Sequence, residues 1–201
     1  MKLLPTTLAV AIIAAVCLGS ARARADTSVI RRPGARPHYA FEAEPHLVLG
    51  AFDPVYEDAD LGLGLGFRGT VEVAKDGFTR KFNNSVGVGF GVDFVRRGSA
   101  RSDECIRFDA DPGKSDRCVE YDTVDIDDFV LPVVMQWNVW LTRSWSVFAE
   151  GGPALLVRSP GKDHFRPLVF YAGGRWHFAD AVSLTMRLGW PTVSVGVSFL
   201  L

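Results

Sequence analysis

The C-terminal segment Thr192-Val193-Ser194-Val195-Gly196-Val197-Ser198-Phe199 sets an apolar side chain at every odd position and a small or polar one between. A period of two belongs to a strand with two unlike faces. The same alternation runs through Leu61, Leu63, Leu65 and Phe67 against Gly62, Gly64 and Gly66, then on to Val71 and Val73 opposite Thr70 and Glu72. It recurs in Val86, Val88, Phe90, Val92 and Phe94, and again in Val182, Leu184, Met186, Leu188 and Trp190. Helices would need apolar residues three and four apart, and each interior glycine would cost a helix about 1 kcal/mol. The pattern predicts eight strands, roughly over 42–52, 61–73, 85–96, 129–141, 145–157, 167–178, 181–190 and 192–200.

The connections carry a second signal. In a barrel with both termini in the periplasm, the odd-numbered connections are the longer ones. The third strand leads into about 30 polar residues, Arg97 to Asp128, and the fifth into Ser159 to Arg166. Thr142-Arg143-Ser144 and Ala179-Asp180 read as tight turns between them. Two connections fit less well: Ala74 to Asn84 is long for a periplasmic turn, and Gly189-Trp190-Pro191 is short for an outer loop. The expected fold is all-β, an eight-stranded antiparallel up-and-down transmembrane barrel over residues 42–201.

In such a barrel polar residues gather on one parity, facing the interior. That set includes Glu72, Asp93, Gln136, Asn138, Glu150, Tyr171, Arg175, His177 and Arg187. It holds both signs of charge, and an eight-stranded interior is just wide enough for side chains to fill. Opposed acids and arginines would pair and close the lumen, which argues against a general porin. Trp137, Trp140, Trp145, Trp176, Trp190 and, counted a second time, Tyr171 lie near strand ends in several cases, where interfacial aromatic girdles belong. The competing reading puts the same apolar residues in the core of a soluble β-sandwich.

Composition adds an export route. Lys2, the apolar run Leu8 to Leu18 and the small-x-small site Ala23-Arg24-Ala25 form a signal peptide over residues 1–25. Its apolar run is shorter than the roughly 20 residues of a membrane-spanning helix. Cys17 raises a lipoprotein alternative, which Val16 fits poorly. Residues 26–41, with two prolines and three arginines, read as a flexible leader. After residue 25 the chain carries 19 basic and 23 acidic residues, with no clustered basic face for nucleic acid. Cys105 and Cys118 share one polar segment; an oxidising compartment favours a disulfide, and no second pair at zinc-ligand spacing accompanies them.

Four stretches resemble motifs that carry chemistry. Gly113-Lys114-Ser115 lacks the phosphate-loop glycine five positions earlier, where Phe108 stands. Asp109 to Asp116 has the alternating carboxylates of a calcium loop but not its fifth-position acid, and the bidentate twelfth position falls to Glu120. A solvated loop and a weak divalent-cation site are its two readings, and no cofactor is expected. His177 and Ser183 face each other across a turn, the nearest approach to the His/Ser pair of a lipid-modifying barrel enzyme. Gly174-Arg175-Trp176 matches a lipocalin Gly-x-Trp in the wrong strand.

Leu131-Pro132-Val133-Val134, the run Trp145 to Pro153, and the final strand with Phe199 resemble the small bacterial outer-membrane barrels of the OmpA/OmpX-like class over residues 42–201. The resemblance implies residence in the outer membrane, contact with its lipid, and a C-terminal aromatic read by the barrel-assembly machinery, a role that falls to Phe199. Here Leu200 and Leu201 follow it. The implied function is non-enzymatic: a structural or surface-interaction role with an extracellular or envelope partner through the outer loops. The alternatives are a lipid-modifying barrel enzyme and a soluble periplasmic barrel that binds a small ligand.

Overall fold

The computed structural model describes residues 27–50, 62–108 and 118–201. Eight antiparallel strands follow one another around a closed barrel: β1 (Phe41–Gly50), β2 (Gly62–Ala74), β3 (Asn84–Phe108), β4 (Cys118–Trp140), β5 (Trp145–Ser159), β6 (His164–Ala179), β7 (Val182–Trp190) and β8 (Val193–Leu200). Closure comes from β1 against β8, with Ala43 opposite Phe199 and His46 opposite Gly196. Each strand then has a hydrogen-bonded neighbour on both sides, so neither sheet edge is left open. The β1–β8 ladder is interrupted beside Pro45, which has no N–H to donate.

The faces are inverted relative to a soluble protein. Leu63, Leu65, Phe170 and Leu188 are among the large apolar side chains on the outer surface, each more than half exposed, while Arg68, Glu150, Arg187 and Gln136 are fully buried inside. In water this arrangement would leave the apolar surface unburied at about 25 cal/mol per Å². A hydrocarbon surround removes that cost and requires the closed ladder seen here. The barrel is built to span a membrane. No helix among the described residues is long and apolar enough to do so.

One end of the barrel holds the start of β1, the end of β8 and the turns β2–β3, β4–β5 and β6–β7. At the other lie the end of β1, the start of β2 and the turns β5–β6 and β7–β8. Three expectations change here. The stretch Arg97–Asp128 is no plain polar loop: β3 and β4 continue beyond the rim as a paired ribbon, with Arg101 opposite Thr123 and Phe108 opposite Cys118. The alternation visible through Phe94 is lost in the ribbon because neither of its faces meets lipid or core. Trp140 and Tyr171 face the interior, at 1% and 0% exposure, and so are absent from the girdle. Trp190 is half-buried against the interior apolar cluster, under the Arg166 guanidinium at 5.0 Å.

The leader, read as flexible, is packed over residues 27–40. Val29 N donates to Leu141 O, Asn83 N to Ile30 O, and Asn83 Nδ2 to Ala35 O. Arg36 pairs with Glu72 and also donates to Lys75 O. Val29 and Tyr39 are buried with Trp140 and Leu200, so the leader lies across the mouth and covers it with apolar side chains. Burial of those side chains offsets the chain entropy of ordering the segment.

Candidate functional site

Inside the barrel the inward parity builds a connected polar layer. Arg187 sits at its centre: Nη1 and Nη2 donate to Glu44 Oε1 and Oε2 at 2.7 and 3.0 Å, and Nε donates to Glu150 Oε2 at 3.1 Å. Gln136 donates to the other Glu150 oxygen at 2.6 Å. Arg68 lies 3.5 Å from both Glu150 and Asp93, with its guanidinium 5.4 Å from the Tyr171 ring. His46 Nε2 is 2.9 Å from Asp93 Oδ1. Nearer the termini, Arg175 donates to Glu42 at 3.0 Å and to Asn138 at 2.6 Å. Phe148 separates the two guanidiniums, 4.3 Å from Arg175 and 5.2 Å from Arg187.

Four carboxylates, Glu42, Glu44, Asp93 and Glu150, thus meet three guanidiniums and one imidazole across the bore. Such charges stay buried only when paired and hydrogen-bonded. The lumen is filled at this level, as side-chain volumes in an eight-stranded barrel require. The alternation that exposed Asp93, Glu150, Arg175 and Arg187 in the sequence could not distinguish which acid each arginine meets. Glu42, Glu44, His46 and Arg68 escaped the sequence reading. Their parity is the inward one, Glu42 and Glu44 flanking Ala43 and Arg68 following Phe67, and that signal was available.

Toward the far mouth the interior turns apolar, with Val130, Val134, Ala154, Leu156 and Val169 packed together. Above them Asp128 takes Arg158 at 2.6 and 2.9 Å and Arg97 at 3.1 Å. Past that layer rises the ribbon, cross-linked by a Cys105–Cys118 disulfide. The cleft beneath it encloses only about 20 Å³. That is room for about one water molecule.

Glu72 sits at the opposite end, occupied by Arg36 of the leader and apart from the central layer. His177 lies inside as well, stacked 4.4 Å from Trp140, with Nε2 2.9 Å from Ser146 Oγ. Ser183 is opposite it in register but takes no hydrogen bond from it. The Nδ1 of His177 has no carboxylate among the described residues. Both side chains are buried inside the barrel, His177 at 6% exposure and Ser183 at 0%. The calcium-like run Asp109 to Asp116 lies outside the described residues, and among the described residues no group of three His, Cys, Asp or Glu side chains is arranged to hold a metal. Phe199 is exposed on the lipid side, one residue before the buried Leu200.

No protein-family model matches the chain, and no curated protein sequence matches it. Among solved structures, the Yersinia pestis outer membrane protein Ail in a phospholipid bilayer nanodisc overlays with a TM-score of 0.45 and 11% identity, across 82% of this chain and 100% of that one. A de novo designed transmembrane β-barrel gives 0.44 and 8%, across 82% and 98%. Ail in complex with the heparin analogue sucrose octasulfate gives 0.39 and 14%, across 79% and 96%. These are likenesses of barrel form, and overlaps at this level assign no function.

Proposed function

We propose that this chain is exported by a signal peptide cleaved after Ala25, resides in the outer membrane, and acts at the cell surface through its protruding ribbon without catalysis or general solute passage. Insertion would use the C-terminal strand, with Phe199 offered to the barrel-assembly machinery. The observation that carries the surface role is the stapled ribbon itself. Residues 97–128 hold ten acidic and five basic side chains, and the preceding outer connection, 51–61, holds four acidic and no basic ones. Among the described residues β2 pairs with β3 only as far as Arg96 and β5 with β4 only from Asp127, and past those points β3 and β4 pair with each other. A partner that meets this surface is cationic. The sulfated ligand of the Ail complex has the wrong sign for it.

Two measurements test the proposal. Detergent should release the protein from cell envelopes where salt and urea do not; release by salt alone would refute the membrane assignment. Purified barrels in nanodiscs should bind a polylysine surface in a salt-dependent way and pass through immobilised heparin. Retention on heparin, or binding unchanged after the ribbon acids are replaced by amides, would refute the surface role.

A further inference from the structure

The β2–β3 connection is longer than a barrel turn at this end requires, and the surface role leaves it unused. Its position is set by Asn84. That side chain belongs to the lipid-facing parity of β3, yet it is 1% exposed, and Val86 beside it on the same face is 6% exposed while Val88 is 40%. What covers them is the turn, folded outward and back along the barrel wall. Asn84 Nδ2 faces the carbonyls of Asp76, Thr79 and Phe82 at 3.1, 2.6 and 2.8 Å. Its Oδ1 accepts from Phe78 N and from Trp137 Nε1, both at 3.0 Å. Gly77 makes this approach with φ +56°, where a Cβ would fall 1.8 Å from Asn84 Oδ1.

The turn thereby presents two kinds of side chain to the rim of the membrane. Phe78 is 61% exposed and packs edge-on against the lipid-facing Trp137 with ring centroids 5.7 Å apart; Phe82 is also exposed. Lys75, Arg80 and Lys81 on the same turn are exposed, with Asp76 as its one acid, 3.6 Å from Arg80. Aromatics at the level of Trp137 seat at the boundary of hydrocarbon and headgroup. Three cations against one anion, held at that depth by a packed turn, match the phosphates of a leaflet.

We propose that the β2–β3 turn is a binding site for anionic phospholipid headgroups in the leaflet that faces the periplasm. The site rests on the membrane-spanning reading and gives the barrel a lipid preference that its apolar wall alone does not supply. Each cation near an anionic surface contributes on the order of fivefold, so the turn, with one of its three cations offset by Asp76, gives a preference of about 25-fold for a charged over a zwitterionic lipid. Salt weakens it, because the side chains are exposed.

The test places the whole barrel, residues 26–201, in phosphatidylcholine nanodiscs and compares association of spin-labelled phosphatidylglycerol with spin-labelled phosphatidylcholine. Phosphatidylglycerol should be favoured about 25-fold at low salt. The triple variant Lys75→Gln, Arg80→Gln, Lys81→Gln should bring the two lipids to parity, and Arg31→Gln with Arg32→Gln, on the leader at the same end, should leave the preference intact. Equal association in the unaltered barrel, a preference that survives the triple variant, or one that vanishes with the leader variant would each overturn the site. Displacement of phosphatidylglycerol by millimolar inorganic phosphate would overturn it too, revealing a site for free anions. A barrel that fails to enter the discs refutes the membrane reading instead.

Discussion

Asn83 and Asn84 are adjacent in sequence and opposite in effect. Asn83 turns inward and holds the leader through Ala35, while Asn84 turns outward and holds the β2–β3 turn. Neither role is legible in a pattern of hydrophobic and polar letters, since each depends on what folds back over the strand start. Gly66 shows the converse case, in which alternation marks the position correctly. A Cβ there would lie 2.2 Å from His46 Nε2 and 2.6 Å from Asp93 Oδ1. Gly66→Ala should separate that pair and lower stability by about 1–3 kcal/mol, read as an earlier urea transition in lipid vesicles. Tyr39, in the leader, has its phenol pushed up to about 12 by burial and then by Glu42, against an ordinary value of 10. The folded chain then keeps a proton that the unfolded chain loses. Its contribution to stability is full below pH 10 and falls as pH rises toward 12, and a phenolate absorbance step missing from Tyr39→Phe would identify it.

At the scale of elements, alternation located all eight strands because one face of each meets lipid and the other meets charge. It placed β7 and β8 within one residue of their ends, Val182–Trp190 and Val193–Leu200. It stopped short on β3 and β4, which run on to Phe108 and back from Cys118. A ribbon wet on both sides has no reason to alternate, so composition alone reads as a loop. The cysteine spacing was the clue to its pairing. Closing a loop of 13 residues with a disulfide removes about 3 kcal/mol of entropy from the open ribbon. Replacing both cysteines by serine should speed amide exchange in residues 99–108 and leave the barrel strands protected. Equally accelerated exchange across β5 to β8 would show that the ribbon and barrel unfold as one unit.

For the molecule as a whole, the decisive property is that the bore is occupied. Charges of both signs were legible from parity; their partners were not, because pairing across a barrel joins residues such as Glu44 and Arg187 that lie 143 positions apart. Glu150→Ala would leave Arg187 and Arg68 short of a shared counter-charge, with a loss of about 3–5 kcal/mol. Urea unfolding in vesicles measures it. In planar bilayers the intact barrel should show no large steady conductance, and a stable open channel would contradict a lumen closed by side chains. The leader adds a property of a different kind. Its contacts reach the β4–β5 turn at Leu141, the start of β3 at Asn83, the end of β2 at Glu72 and the final residue Leu201. Those four points lie together only after the cylinder has closed. The leader is therefore a receipt for completed assembly, and a fluorophore at Arg32 would time the last event in the making of the barrel.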